Sequence, residues 1–178
     1  MVGYLDVWDQ NLKSALKALE QVSRNYPLVA IDTEFPGDPL GSDPKWMIEG
    51  RSQEAYDVLK RNVDVSNLVT LGITFSEPNG RRAGLRTFVF NMRFNLDVEV
   101  HAESGVDFLK RNGMDFKQLK ERGCDHKEVI RGIKHLFADK SRQWITFQGL
   151  VYYLLQKEAV KLVFKYTFLT RIITYSVF

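Results

Sequence analysis

Asp32 and Glu34, in the segment Val29-Ala30-Ile31-Asp32-Thr33-Glu34-Phe35-Pro36-Gly37, are the residues whose types and spacing best suit chemistry. Side chains of a strand alternate between its faces, so two acids two positions apart project together. Such a pair repels itself unless the two share a cation. The bland alternative is a pair of solvated acids at a strand end. Two features favour a ligand. Leu28 to Ile31 have the character of a buried strand, which makes a neighbouring charge pair costly without compensation. Pro36-Gly37 then turns the chain, and a strand end opens toward whatever binds there. Oxygen-only donors suit Mg²⁺ or Mn²⁺. Two such ions about 4 Å apart activate a water and stabilise the leaving oxygen in phosphodiester hydrolysis. Two carboxylates on one strand cannot clamp two ions, so this reads as half of a two-metal nuclease site.

The elements that must position this pair are legible from periodicity and punctuation. Trp8, Leu12, Ala15, Leu16, Leu19 and Val22 recur at helical spacing over 6–25, and Pro27 ends that segment. Leu28 to Phe35 reads as a strand, 38–51 as a loop and 53–62 as a helix. Leu68 to Phe75 is a second strand, Glu77-Pro78-Asn79-Gly80 a hairpin-like turn, and Arg86 to Asn91 a third strand. Helices are expected over 105–112, 116–122 and 126–138, a fourth strand over 144–147, and a helix over 151–164. The order predicts an α/β domain, helices flanking a small mixed sheet.

Composition bounds the rest. A chain of 178 residues, 44% hydrophobic and 26% charged, can bury one core and is one domain. The net charge of +3 hints at nucleic acid, but the excess lies in Lys157, Lys161, Lys165 and Arg171 against Glu158. The first 156 residues carry 21 basic and 21 acidic groups, so any basic patch there must come from arrangement. A single cysteine, Cys124, excludes an intramolecular disulfide and a cysteine zinc cluster, and suits a reducing compartment. The start of the chain has no signal-peptide pattern. Residues 159–178 are apolar, but Lys161, Lys165 and Arg171 each cost about 2.5–3.5 kcal/mol near a bilayer centre, so no membrane span is expected. Arg81, Arg82 and Arg86 border the hairpin turn, and a solvated turn is the simpler reading than a phosphate contact.

Several ordered motifs carry a family resemblance. Asp32-Thr33-Glu34-Phe35-Pro36-Gly37 resembles the first exonuclease motif of the Caf-one/Pop-two deadenylases, DEDD nucleases with an RNase H-like fold. Val7-Trp8 with Asn11-Leu12, Arg61-Asn62-Val63-Asp64, Leu71-Gly72-Ile73-Thr74-Phe75 and Phe88-Val89-Phe90-Asn91 with Phe94-Asn95 agree in order. So do Ser104 with Gly113-Met114-Asp115-Phe116, Gly123-Cys124-Asp125 and Trp144-Ile145-Thr146-Phe147. The resemblance implies a partial DEDD/RNase H-like exonuclease domain over 1–156 and a divergent tail over 157–178. It implies a poly(A)-specific 3′–5′ exoribonuclease that shortens mRNA tails within the Ccr-four–Not complex, in cytoplasm and nucleus. Its partners would be poly(A) RNA and the other subunits of that complex, with no membrane. Asp32 and Glu34 would be the catalytic metal ligands for Mg²⁺ or Mn²⁺, Asp32 touching both ions.

The departures point the other way. After the fourth strand the family reads Phe-His-Ser-Gly-Tyr-Asp-Phe-Gly-Tyr-Leu-Leu, its Asp being the third acidic ligand. Here Phe147-Gln148-Gly149-Leu150-Val151-Tyr152-Tyr153-Leu154-Leu155 is two residues shorter and holds no acid. A Leu, Val or Tyr therefore falls where that carboxylate belongs, and the resemblance ends before the family's last part, which supplies the final Asp and a His. His101, His126 and His135 lie upstream and read as partly exposed surface residues. Three readings follow: a working exonuclease, a non-catalytic family member that binds protein or RNA, and a truncated product that folds poorly.

Overall fold

The computed structural model describes residues 3–41, 52–79, 85–146 and 172–174. Strand β1 (Gly3–Val7), a 3-10 turn (Asp9–Asn11) and helix α1 (Leu12–Ser23) lead to β2 (Leu28–Glu34). Helix α2 (Ser52–Val65) precedes β3 (Thr70–Ser76) and β4 (Leu85–Asn91). Helices α3 (Glu103–Arg111), α4 (Phe116–Arg122) and α5 (His126–Ala138) precede β5 (Gln143–Thr146), and Ile172–Thr174 forms β6. The strands make one mixed sheet in the order β1-β4-β3-β2-β5-β6. β2, β3 and β4 are antiparallel neighbours, while β1 runs parallel to β4, β5 to β2 and β6 to β5. The expected α/β class and mixed sheet are thus present.

Binary patterning explains which face is covered. Val29 and Ile31 of β2, Leu71, Ile73 and Phe75 of β3, and Phe88 and Phe90 of β4 point to one side. There they meet Leu12, Ala15 and Leu19 of α1 and Val129, Ile130, Ile133 and Leu136 of α5. These helical positions recur at three- and four-residue intervals, which is the stripe an amphipathic helix buries. The two helices approach closely at Gly132, where a Cβ would stand 2.5 Å from Leu16 Cδ1. Asp115 and Asp125 fix the starts of α4 and α5, accepting from the Gln118 and Glu128 amides. A smaller cluster joins Val69 and Phe94, at the sheet's end, to Val106 and Leu109 of α3 and Phe116 and Leu119 of α4.

Arg142 ties the entry of β5 to that of β2. Its buried guanidinium donates to the Ser23 carbonyl at 2.9 Å and the Tyr26 carbonyl at 3.1 Å. The C-terminal end of α1 presents carbonyls without helical partners, and a cation is favoured there. The Gln143 amide then donates to the Pro27 carbonyl at 3.0 Å, starting the parallel ladder between the two strands.

Several boundaries differ from expectation, among them the start of β3, at Thr70 rather than Leu68. Residues 6–25 are not one helix: Asp6 and Val7 belong to β1, and α1 begins only at Leu12. The break is local, because the Asn11 side chain accepts from the Trp8 amide at 2.8 Å and donates to the Asp6 carbonyl at 2.9 Å. That Asx geometry competes with helix. α2 runs three residues past its expected end, and α3 starts at Glu103 rather than Gly105. The expected helix over 151–164, the Phe147–Leu155 segment, Gly80, the loop residues 42–51, Arg81, Arg82 and the side chain of Arg86 lie outside the described residues. Among those described, no helix is long and apolar enough to cross a membrane.

Candidate active site

β2 is an inner strand, and its alternation places Ala30, Asp32 and Glu34 on the face away from α1 and α5. The parallel pairing with β5 ends at Ile31 opposite Thr146, while the antiparallel pairing with β3 continues to Glu34 opposite Thr70. Asp32 to Glu34 therefore stand past the described end of β5, and among the described residues they have a strand on one side only. This is the position at which open α/β sheets receive ligands. Asp32 is exposed and Glu34 half-buried.

Gly72 of β3 lies directly opposite Asp32. A Cβ there would meet Asp32 Cβ at 3.8 Å, so with glycine at this position β3 sets no side chain against the acid. The Glu34 backbone carbonyl accepts from the Val69 amide at 2.9 Å, holding the strand end in place. Burial, and then the neighbouring charge of Asp32, push the Glu34 carboxyl above its ordinary range. A cation between the two would relieve both causes.

The turn beyond Glu34 is pinned from the other side. Pro36 is buried, and Gly37 has φ of +83°, a left-handed conformation that favours glycine. The Ala102 amide donates to the Pro36 carbonyl at 2.9 Å. Gly105, in the first turn of α3, lies so close that a Cβ would be 2.5 Å from Gly37 Cα and 2.7 Å from Pro36 C. The following residues are held by buried Asn62 of α2: its Oδ1 accepts from the Leu40 amide at 2.8 Å, and its Nδ2 donates to the Gly41 carbonyl at 3.0 Å. Periodicity exposes neither Gly105 nor Asn62 as a support of the site. Gly105 stands in the sequence only as the first residue of the expected helix over 105–112, where nothing marks it as a packing position.

The histidines do not join the acids. His101 Nδ1 pairs with the Glu99 carbonyl at 2.8 Å, His126 Nε2 with the Leu68 carbonyl at 2.9 Å, and His135 Nδ1 with the Gly132 carbonyl at 3.0 Å. All three are partly buried, in keeping with the reading of partly exposed, non-ligand residues. Cys124 is buried, and its thiol is pushed up to about 12, chiefly by burial, so it is a packing residue and not a nucleophile. Among the described residues, no group of three His, Cys, Asp or Glu could hold a metal. The donor set at Asp32 and Glu34 fits one hard, partly hydrated ion, since Mg²⁺ readily keeps several waters. It does not by itself fit two.

A mixed sheet of this order, with an acid pair at the open end of an inner strand, is the RNase H-like nuclease architecture. Residues 7–143 match the CAF1 family ribonuclease, and the chain belongs to that family. It is 30% identical over 153 residues to the "Probable CCR4-associated factor 1 homolog 7" of Arabidopsis thaliana, covering 81% of this chain and 55% of that protein. It is 30% identical over 148 residues to poly(A) ribonuclease pop2 of Schizosaccharomyces pombe, covering 81% and 43%. The solved structure of S. pombe Pop2p in its Mg²⁺- and Mn²⁺-bound form superposes with a TM-score of 0.76 at 28% identity, over 89% of this chain and 64% of that one. Yeast CAF1 co-crystallized with the NOT1 MIF4G domain is also similar, with a TM-score of 0.70 at 25% identity, over 89% and 59%. The chain spans about half the length of the curated relatives it matches.

Proposed function

We propose that this chain is the metal-binding half of a poly(A)-directed 3′–5′ exoribonuclease, with Asp32 and Glu34 as its metal ligands. One observation carries the reading: the two carboxylates share the face of an inner strand turned away from α1 and α5, past the described end of β5, with the Glu34 carboxyl raised by burial and by Asp32. The ion, Mg²⁺ or Mn²⁺, would supply an activated water and a neutralised leaving oxygen. The protein's own part is to hold the two acids on one face of β2, with glycine opposite Asp32, while the ion would offset the burial and repulsion that oppose ionisation of Glu34. The relative named poly(A) ribonuclease supports poly(A) as substrate, and the similarity to CAF1 crystallised with NOT1 supports a place in the Ccr-four–Not complex. Cytoplasm and nucleus are the compartments that fit a role in mRNA decay.

The test is shortening of a 5′-labelled oligo(A) by purified protein with Mn²⁺, beside Asp32→Asn. Release of adenosine monophosphate that disappears in the variant supports the proposal. A cooperative fold without shortening overturns it. That result would favour the second reading, a non-catalytic module binding protein or RNA, which one observation recommends: residues 147–155 contain no acid to serve as a third ligand.

A further inference from the structure

The contact between α3 and the turn after Glu34 is tighter than core packing requires. Two glycines face each other there, and each is filled by the other's backbone: a Cβ on Gly105 would stand 2.5 Å from both Gly37 Cα and Gly37 N. Distances this short to backbone leave no flexible side chain to move aside, so any side chain at 105 must displace the turn itself. Gly37 cannot yield by changing conformation cheaply, because its φ of +83° is set by the turn and a Cβ of its own would press on Ala102 and Gly105 at 3.0 Å. The Ala102 amide, at the start of the same helix, donates to the Pro36 carbonyl. Two residues upstream of Pro36 is Glu34, whose carbonyl is fixed to Val69 of the sheet. The chain from Glu34 to Gly37 is thus stretched between two anchors, the sheet and the first turn of α3.

We propose that the start of α3, through Gly105, is a positioning element for the Asp32–Glu34 site: it sets where the Glu34 carboxylate stands relative to Asp32. Gly105 touches no ligand and acts only through the Pro36-Gly37 backbone. The inference rests on the reading of Asp32 and Glu34 as metal ligands for its effect on metal, and on geometry alone for its effect on the turn. Supporting groups that orient metal ligands change affinity by about 10–100-fold when altered.

The experiment compares Gly105→Ala with Gly123→Ala in the full chain. Gly123 is a control of the same kind, since a Cβ there would stand 2.5 Å from the Arg93 backbone and from the Leu119 carbonyl oxygen. Three quantities are read: Tm, Mn²⁺ affinity by titration calorimetry, and amide hydrogen exchange at Ala102 and Val69. At comparable loss of Tm, G105A should weaken Mn²⁺ binding about 10–100-fold and speed exchange at both amides, while G123A changes neither. If G105A does not fold, Ala102→Gly loosens the other link to the turn without adding an atom, and a smaller loss of affinity and of Val69 protection in the same direction is expected. Unchanged affinity with unchanged protection overturns the inference, as does an equal change in G123A. Wild-type protein that binds no Mn²⁺ defeats the metal reading instead, and the two amides alone then decide the positioning role.

Discussion

Mn²⁺ should stabilise the fold through Asp32 and Glu34, and the size of the effect follows from how few ligands the site offers. Two carboxylates and retained waters make a weak site, comparable with sites whose dissociation constants are about 10⁻³ M. At roughly 10 mM Mn²⁺, binding to the native state alone adds about 1.4 kcal/mol by linkage. For a chain of this size, roughly 2–4 °C accompanies each kcal/mol, so Tm should rise by about 3–6 °C. The assay is thermal unfolding followed by circular dichroism at pH 7, with and without Mn²⁺, for wild type, Asp32→Asn and Glu34→Gln. Each variant removes one of two ligands and should erase most of the shift, and a chelator should return wild type to its metal-free Tm. A shift of equal size in both variants would place the ion elsewhere, and no shift in wild type would remove the metal from the site altogether.

The raised Glu34 carboxyl fixes a second outcome. An acid raised in the native state binds more protons there than in the unfolded chain, so stability falls as pH rises from the ordinary carboxylate range through the native value. Glu34→Gln should therefore be more stable than wild type at pH 7 without metal, with the gain vanishing at pH below the ordinary range, as read from urea unfolding. Arg142→Met removes charge-assisted donors from the Ser23 and Tyr26 carbonyls and should cost about 2–4 kcal/mol in urea midpoint at constant m. Restoring an acid in the segment that lacks one, by Leu150→Asp, Val151→Asp or Tyr152→Asp, should tighten Mn²⁺ binding in the one variant that brings a third carboxylate to the pair. Three unchanged affinities would refute that route.

The sequence carried the layers of the fold because most elements here obey simple periods. The helix over 126–138 and the antiparallel strands around the Glu77-Pro78-Asn79 turn appear with nearly the expected bounds. β1 was hidden by its length: Tyr4 to Val7 runs straight into residues spaced like a helix, and only the Asn11 side chain breaks the two apart. β6 was hidden by context. Ile172–Thr174 is β-branched, but nothing local says that it pairs with Trp144–Thr146, more than two dozen residues away. At the site, the acid pair was visible as a motif, whereas its supports were not. Gly105 matters through a contact nearly seventy residues distant in the chain, and a spacing rule has no access to such a contact.

The supports also separate two properties that a nuclease site normally joins. Asp32 and Glu34 are held by Gly72 of β3 and by Val69 just before it, by α3 through Pro36-Gly37, and by α2 through Leu40 and Gly41. Each of these contacts is made by residues 32–105, before β5 begins. Pre-organisation of the pair therefore does not wait on whatever stands at the carboxyl end of β5, and one ion can be captured on geometry that the first hundred residues supply. Placing a second ion is a different matter, since it needs acids that this geometry does not provide. Mn²⁺ binding without oligo(A) shortening, the outcome that overturns the exonuclease reading, would therefore still report a formed acid pair and not a damaged fold. The same logic makes the reverse pattern impossible: no alteration that frees Glu34 from its anchors can spare the activity and lose only the ion.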